Sequence, residues 1–418
     1  PEGARDFLVP SRVYPGRFFA LPQSPQQYKE LLMVGGVDRY FQFARCLRDE
    51  DARADRQAEH TQLDFEMSFV DRDDIIGILE RIYLGAAGGF SSKRLLRVPI
   101  PRMSYHDVMH RFGSDKPDLR FGMELVDLAP CFRGCASPIL AKAADAPGEV
   151  LRGFAIPGGG LWSRKEIDSL ADGAGGGSIG WVALKEGTLR SSPLKSIMDQ
   201  GRLDAVRSAT SAGADDLIVL AGGPSRVTLE SLGRVRSSMG RKLGLIDENV
   251  LALLFVIDFP QFEWNAEERR LDPIHHMFVM PKTEHLPLLD SQPLAVLSTQ
   301  VDAVCNGYEL CSGSVRIHTP ELQLKVMKLI GISEEDARQK FGHLLSALAF
   351  GAPPHGGAAP GLDRLLMVLL GTERMSDVVA FPKTYSGRDL MMDAPAEVDR
   401  GQLAELHLRL DLPESERP

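Results

Sequence analysis

The sequence predicts an α+β protein that carries a smaller inserted α/β module, and three patterns predict it. Residues 40–70 alternate with period two on both sides of a charged segment, which marks an antiparallel hairpin. Several stretches outside that hairpin follow helical periodicity between recognisable start and stop signals. Between about Phe121 and Asp258, strand-like and helix-like runs alternate instead, as in a separate small α/β unit. With 418 residues and 44% hydrophobic content, the chain can bury more than one core.

The hairpin is the most informative stretch. On its return strand Leu63, Phe65, Met67 and Phe69 share one face, and Gln62, Asp64, Glu66 and Ser68 share the other. On the outgoing strand Gln42, Ala44, Cys46 and Arg48 lie together. A solvated face is the common fate of such a pattern. Here the polar face of the return strand holds carboxylates and amides without lysine, beside a guanidinium, so a ligand-binding floor is the better reading.

The remaining elements follow in order. SPQQYKELLMVGG, from Ser24 to Gly36, predicts a short helix with Ser24 as cap, Pro25 in the first turn, Gln27 closing a capping box and Gly35-Gly36 as stop. Tyr28, Leu31 and Leu32 form its expected apolar side, and Gln26 and Lys29 share another. Residues 73–84 predict an amphipathic helix. His106-Asp107-Val108-Met109-His110 approaches the zinc-protease pattern, but Asp replaces the catalytic Glu and no third ligand is near, so a scaffold helix is expected. In the alternating region the runs at 150–156, 179–184 and 217–221 predict strands, and 164–171 and 225–243 predict helices. Its glycine clusters lack the spacing of a phosphate loop and read as turns. Leu253–Trp264 predicts one apolar strand. Residues 321–350 predict two helices parted at Gly331, the second capped by Ser333. Leu362, Leu365, Leu366 and Leu369 predict a buried helix starting near Gly361, with Arg364 in its first turn.

Composition excludes several classes. No apolar run is long enough to cross a membrane, and the first residues lack the order of a signal peptide, so no membrane partner is expected. Five cysteines without a CxxC pair predict reduced thiols in a cytosol-like compartment. A formal charge of -9 argues against wholesale coating of nucleic acid while leaving room for a local basic surface.

The run RDEDARADRQAEHTQLDFE resembles the second signature of the class II aminoacyl-tRNA synthetases, in particular their bacterial and organellar aspartyl branch. PPHGGAAPGLDRLLMVLLG resembles the third signature, and SPQQYKELL the aspartate-binding segment. The resemblance implies an antiparallel catalytic sheet flanked by helices, divided as 1–120 and 259–418 by an inserted GAD-like domain at 121–258. It implies that the first signature and the anticodon-binding barrel lie outside this sequence. The implied activity is ATP-dependent formation of aspartyl-adenylate and transfer to tRNA(Asp), with tRNA(Asn) as a further acceptor, by a homodimer. The implied location is the bacterial cytoplasm, or an organellar matrix in a eukaryote. An asparaginyl or lysyl enzyme, or a synthetase-like protein without catalysis, are the alternatives.

The resemblance also implies roles. Glu2, Gln26 and Asp64 would take the ammonium region of aspartate, with His275 nearby and Lys29 and Arg316 on the distal carboxylate. Arg48 would hold the α-phosphate, with Asp49, Glu50, Gln57 and His60 on the nucleotide, His60 stacking on adenine. Gly361, Leu362, Asp363 and Arg364 would form the γ-phosphate end. Asp302 and Glu309 would carry magnesium, because a hard cation needs oxygen ligands. Strand alternation puts Glu309 and Arg316 on opposite faces, so a bulge is expected near Gly313. Cys311, Ser312 and Pro360 depart from the residues usual in that branch.

Overall fold

The structure is a computed structural model and describes residues 5–51, 53–175 and 179–412. It divides into two compact units, one of Pro1–Ser91, Pro260–Asp302 and Leu310–Pro418, the other of Ser92–Phe259 and Ala303–Glu309. The second unit thus starts at Ser92, whereas the sequence suggested 121, because helix Tyr105–Phe112 packs on helix Ser225–Lys242 within it.

In the first unit, β1 (Arg39–Leu47) and β2 (Glu59–Ser68) form the expected antiparallel hairpin. The sheet continues antiparallel from β2 to a strand at His355–Ala358, and from that strand to one at Tyr308–Val315. We call Tyr308–Val315 β3 and His355–Ala358 β4, so the order is β1-β2-β4-β3. One row across this sheet reads Tyr40, Glu66, Gly357, Ser314. The approach is close at Gly357, where a Cβ would lie 2.0 Å from the Phe65 carbonyl and 2.4 Å from Glu66 Oε2.

Helix α1 (Gln26–Val34) packs against β2, and its inward face differs from the one expected. Lys29, Glu30 and Met33 are buried, while Tyr28 and Leu32 face solvent. The sheet surface it covers is ionic, so complementary charges and not apolar side chains decide which face turns in. The capping box is also absent. The helix begins at Gln26, whose N–H donates to Ser24 Oγ, and Gln27 Oε1 instead meets His343 Nε2.

Helix α2 (Arg72–Phe90) is longer than the sequence suggested and starts with a capping box between Asp71 and Asp74. Helices α3 (Pro320–Leu329) and α4 (Glu334–Ala349) are parted at Gly331, with Ser333 capping α4 through Asp336 N. They bury Met327, Phe341, Leu344, Leu345 and Leu348 around Phe278. Helix α5 (Leu362–Leu370) forms where expected but is rotated, burying Met367, Val368 and Leu369 and leaving Leu366 exposed. Leu63 N–H donates to Pro360 O and Thr61 N–H to Asp363 Oδ2, so the start of α5 rests on β2.

The second unit holds a five-stranded antiparallel sheet in the order Thr188–Ser191, Gly180–Lys185, Leu217–Pro224, Glu149–Ile156, Val126–Asp127. Period two decides its cores: Leu217, Val219 and Ala221 pack on one side with Leu229 and Leu232, and Ile218 and Leu220 pack on the other with Leu140 and Leu203. Buried Arg236 sits against the rings of Phe112 and Phe121 and donates to the carbonyls of Asp118, Phe121 and Gly122. The expected single strand at Leu253–Trp264 is two, Leu253–Ile257 and Phe262–Asn265, because Asp258 adopts a φ of 59°. Asn306 and Gly307, with φ of 54° and 88°, make the tight turn that leads into β3. No described helix is long and apolar enough to cross a membrane.

Candidate active site

Burial of four charged side chains on one sheet face defines the site. Lys29 Nζ on α1 lies 2.7 Å from Asp64 Oδ1 and 3.0 Å from Glu66 Oε2, both on β2. Arg316, just past the end of β3, donates to the two oxygens of Glu66 at 3.0 and 3.3 Å. It also donates to Ser314 Oγ at 2.7 Å and to Gly357 O. All four charged residues are at most 2% exposed, so their pairing is what makes their burial tolerable.

Their titration follows from this arrangement. Burial pushes the Asp64 carboxyl up despite the ammonium beside it. Burial acts the same way on Glu66, but Arg316 and Lys29 outweigh it and hold that carboxyl below the usual range. For Arg316 burial opposes the charge, and Glu66 more than restores it. Two carboxylates on one strand face are therefore driven apart by their partners.

Adjacent histidines in an extended segment would point opposite ways, with only one facing a site, but the His275-His276 pair is not extended, and His276 meets the cluster while His275 meets Asp302. The chain bends at residues 274–275 and turns at 277–278, so the pair is not extended. His275 Nε2 lies 3.2 Å from Asp302 Oδ2, and His276 Nε2 lies 3.1 Å from Arg316 Nη1. Burial, then the Arg316 charge, pushes His276 well below an ordinary imidazole, so its ring is neutral and can accept from the guanidinium. The bulge expected at Gly313 is not there. β3 pairs with β4 in unbroken register, and Arg316 reaches the cluster on the same alternation as Ser312 and Ser314. Gly313 serves close packing instead, since a Cβ there would lie 2.6 Å from that of Ala358.

The other end of the same β2 face gathers arginines. His60 pairs across the hairpin with Cys46 and is half-buried. Its ring is lowered to about 4 by burial, then by Arg48, Arg364 and Arg56. Arg48 follows β1 and donates to Gln23 O, and Arg364 on α5 reaches Asp55 in the hairpin loop through Oδ2 and the carbonyl. Four residues of strand, about 13 Å, separate His60 from Asp64.

The remaining expected residues are placed as follows. Gln26 donates to Glu30 Oε1. Asp49 bridges to Arg5, Glu50 pairs with Arg56, and Gln57 exchanges hydrogen bonds with the Lys383 backbone, N–H to Oε1 and Nε2 to carbonyl. Gly361 is the N-cap of α5, Leu362 its first residue, and Asp363 caps Thr61 N–H. Glu2 lies outside the described residues. Asp302 Oδ1 accepts from Gln300 Nε2 and Ser312 Oγ at 2.7 Å each. Ser312 thus supports that carboxylate. Glu309 is half-buried at the start of β3 and belongs to the second unit. Among the described residues no three His, Cys, Asp or Glu side chains gather to hold a metal ion.

Sequence reasoning grouped Glu66 with Asp64 but gave it no role, left His276 only near the amino acid, and passed over Glu30, Ser314 and Asp55. Same-face alternation could have found Glu66, and the i, i+4 spacing from Gln26 could have found Glu30.

Antiparallel strands with ionic side chains buried on one face, arginines at their other end, and an arginine-bearing helix resting on β2 are the framework of a class II synthetase. The family of class II tRNA synthetases (D, K and N) matches residues 1–385, and the chain belongs to it. Among its relatives, the aspartate–tRNA(Asp/Asn) ligase of Rubrobacter xylanophilus is 50% identical over 419 residues, 100% of this chain and 70% of that protein. The aspartate–tRNA ligase of Geobacillus kaustophilus is 47% identical over 421 residues, 100% of this chain and 71% of that one. Among solved structures, the aspartyl tRNA synthetase from Entamoeba histolytica matches 88% of this chain and 52% of its own length at 16% identity, with a TM-score of 0.45.

Proposed function

We propose that this protein activates L-aspartate with ATP to aspartyl-adenylate and pyrophosphate, then transfers the aspartyl group to the 3' end of tRNA(Asp). The names of its relatives support tRNA(Asn) as a second acceptor. The observation that carries the reading is the buried group Lys29, Asp64, Glu66 and Arg316, which offers paired cations to one carboxylate and paired anions to an ammonium.

The α-carboxylate of the amino acid is itself the nucleophile, so no protein base is required. The chain's residues place it in line and cancel charge that builds on the α-phosphate. Arg48 and Arg364, both near His60, suit the phosphates, and the neutral His60 ring suits the adenine face. A magnesium ion bound with ATP would cancel further charge, and Asp302 would be a carboxylate for it. Lys29 and Arg316 disfavour the neutral amide of asparagine, which would leave buried charge unpaired at a cost of about 3 kcal/mol. Phe41 and Phe43, 70% and 65% exposed on β1, support a homodimer. No cysteine forms a disulfide, which fits a reducing compartment such as the bacterial cytoplasm.

Aspartate-dependent ATP–pyrophosphate exchange, with asparagine and lysine as competing amino acids, tests the reading. Exchange with aspartate alone is expected. Equal exchange with asparagine or lysine, or none with aspartate, would refute it.

A further inference from the structure

Glu30 follows Lys29 on α1 and is buried to 1% exposure. Its Oε1 accepts from Gln26 Nε2, one helical turn earlier. Its Oε2 has no hydrogen-bond partner and lies 3.9 Å from Nε2 of His355, which is fully buried on β4. Burial would lower that imidazole, but Glu30 more than offsets it and raises it above the ordinary range. The carboxylate thus has a hydrogen bond on one oxygen and an imidazole at ion-pair distance on the other.

A primary amide can present either its NH2 or its carbonyl, and the two ends have opposite chemistry. A carboxylate accepts hydrogen bonds and cannot donate them. Glu30 therefore takes the NH2 end of Gln26 and leaves the carbonyl oxygen to point away from it. A carbonyl oxygen is the right group for an ammonium and the wrong one for a carboxylate.

We propose that Glu30 is a positioning residue that orients the Gln26 amide, so that its carbonyl oxygen receives the α-ammonium of the amino-acid substrate. This rests on the reading of Gln26 as a substrate contact. Glu30 itself touches no substrate. It acts through one hydrogen bond, and that bond selects for an amino acid over a dicarboxylate that lacks the amine.

The test compares L-aspartate with succinate, which keeps both carboxylates and has no ammonium. In pyrophosphate exchange on the full chain, Glu30→Leu is expected to raise KM for aspartate about tenfold, the worth of one charge-assisted hydrogen bond. The inhibition constant of succinate and the KM for ATP are expected to stay within about twofold. Glu30→Gln, which can accept or donate, is expected to fall between Glu30→Leu and the native protein. Gln26→Leu is expected to show the same selectivity, and the double variant to be no worse than Gln26→Leu alone.

If Glu30→Leu weakens aspartate and succinate alike, or neither, while Gln26→Leu remains selective, the orienting role is wrong and the Gln26 contact stands. If Gln26→Leu is not selective, the contact itself is wrong. Should circular dichroism show Glu30→Leu unfolded, Glu30→Gln decides. A selective loss supports the role, and an equal effect on both ligands overturns it.

Discussion

Arg316 and Glu66, 250 positions apart in the chain, meet in a forked pair of hydrogen bonds with both side chains out of water. Removing the guanidinium leaves a buried carboxylate with Lys29 alone. Arg316→Leu is expected to abolish aspartate-dependent pyrophosphate exchange and to lower stability by about 3 to 5 kcal/mol. Arg316→Lys should not restore exchange, because a point charge cannot reproduce the fork. Urea titration and exchange assays on both variants check this, and normal exchange in Arg316→Leu would exclude the residue from aspartate binding.

His60 gives a pH dependence whose sign follows from its environment. Its folded value of about 4 lies below the ordinary 6.5, so the folded protein resists a proton that the unfolded chain accepts. The stability this contributes is full above pH 6.5 and is lost as pH falls toward 4, by about 3 kcal/mol in total. The stability difference between native protein and His60→Phe should be flat above pH 6.5 and change by that amount below it. Denaturant titrations across pH 4 to 7.5 measure it. His60→Ala should raise KM for ATP more than KM for aspartate, and equal effects would argue against stacking.

Gly357 lets β4 lie against Glu66. Gly357→Ala puts a methyl where 2.0 and 2.4 Å separate it from the Phe65 carbonyl and Glu66 Oε2, and backbone cannot yield cheaply. A loss of about 2 to 3 kcal/mol is expected. Because the carboxylate it displaces holds Lys29 and Arg316, KM for aspartate should rise with it. Thermal melts paired with exchange kinetics at low temperature separate the two effects.

In the second unit, Arg236 satisfies three carbonyls without a direct carboxylate contact. Burial brings its guanidinium down to about 10, with Asp118 and Glu124 partly opposing that. Arg236→Leu keeps bulk against Phe112 and Phe121 but strands those carbonyls, and a loss of about 3 kcal/mol is expected. Limited proteolysis should show the second unit cut first, with the first unit's fragments persisting longer.

How much of this was legible beforehand depended on whether apolar alternation told the truth. It did in the hairpin, where Phe65 and Met67 turn to one side and Asp64 and Glu66 to the other, and in the strand Leu217–Pro224. It failed on α1, because an amphipathic reading assumes that the core is apolar, and here the surface under the helix is charged. It did not apply to His275-His276, where a bend that no residue in the pair announces breaks the extended backbone that alternation assumes. Arg316 was legible as a residue and not as a geometry: a bulge seemed necessary only because Glu309 was assumed to share its site. Partners across large sequence distances, such as Asp55 for Arg364, leave no local signal at all.

The loop between β1 and β2 is moored to remote chain at three points: Asp49 to Arg5, Asp55 to Arg364, and Gln57 to the backbone of Lys383, 326 residues onward. On the proposed assignment, the nucleotide end of β2 therefore depends in part on peptide outside the signature runs, at Arg5 and Lys383. A cut or lesion near residue 383 should slacken that loop and blunt nucleotide handling, while the amino-acid half, stitched together by its own ion pairs, goes on recognising its guest.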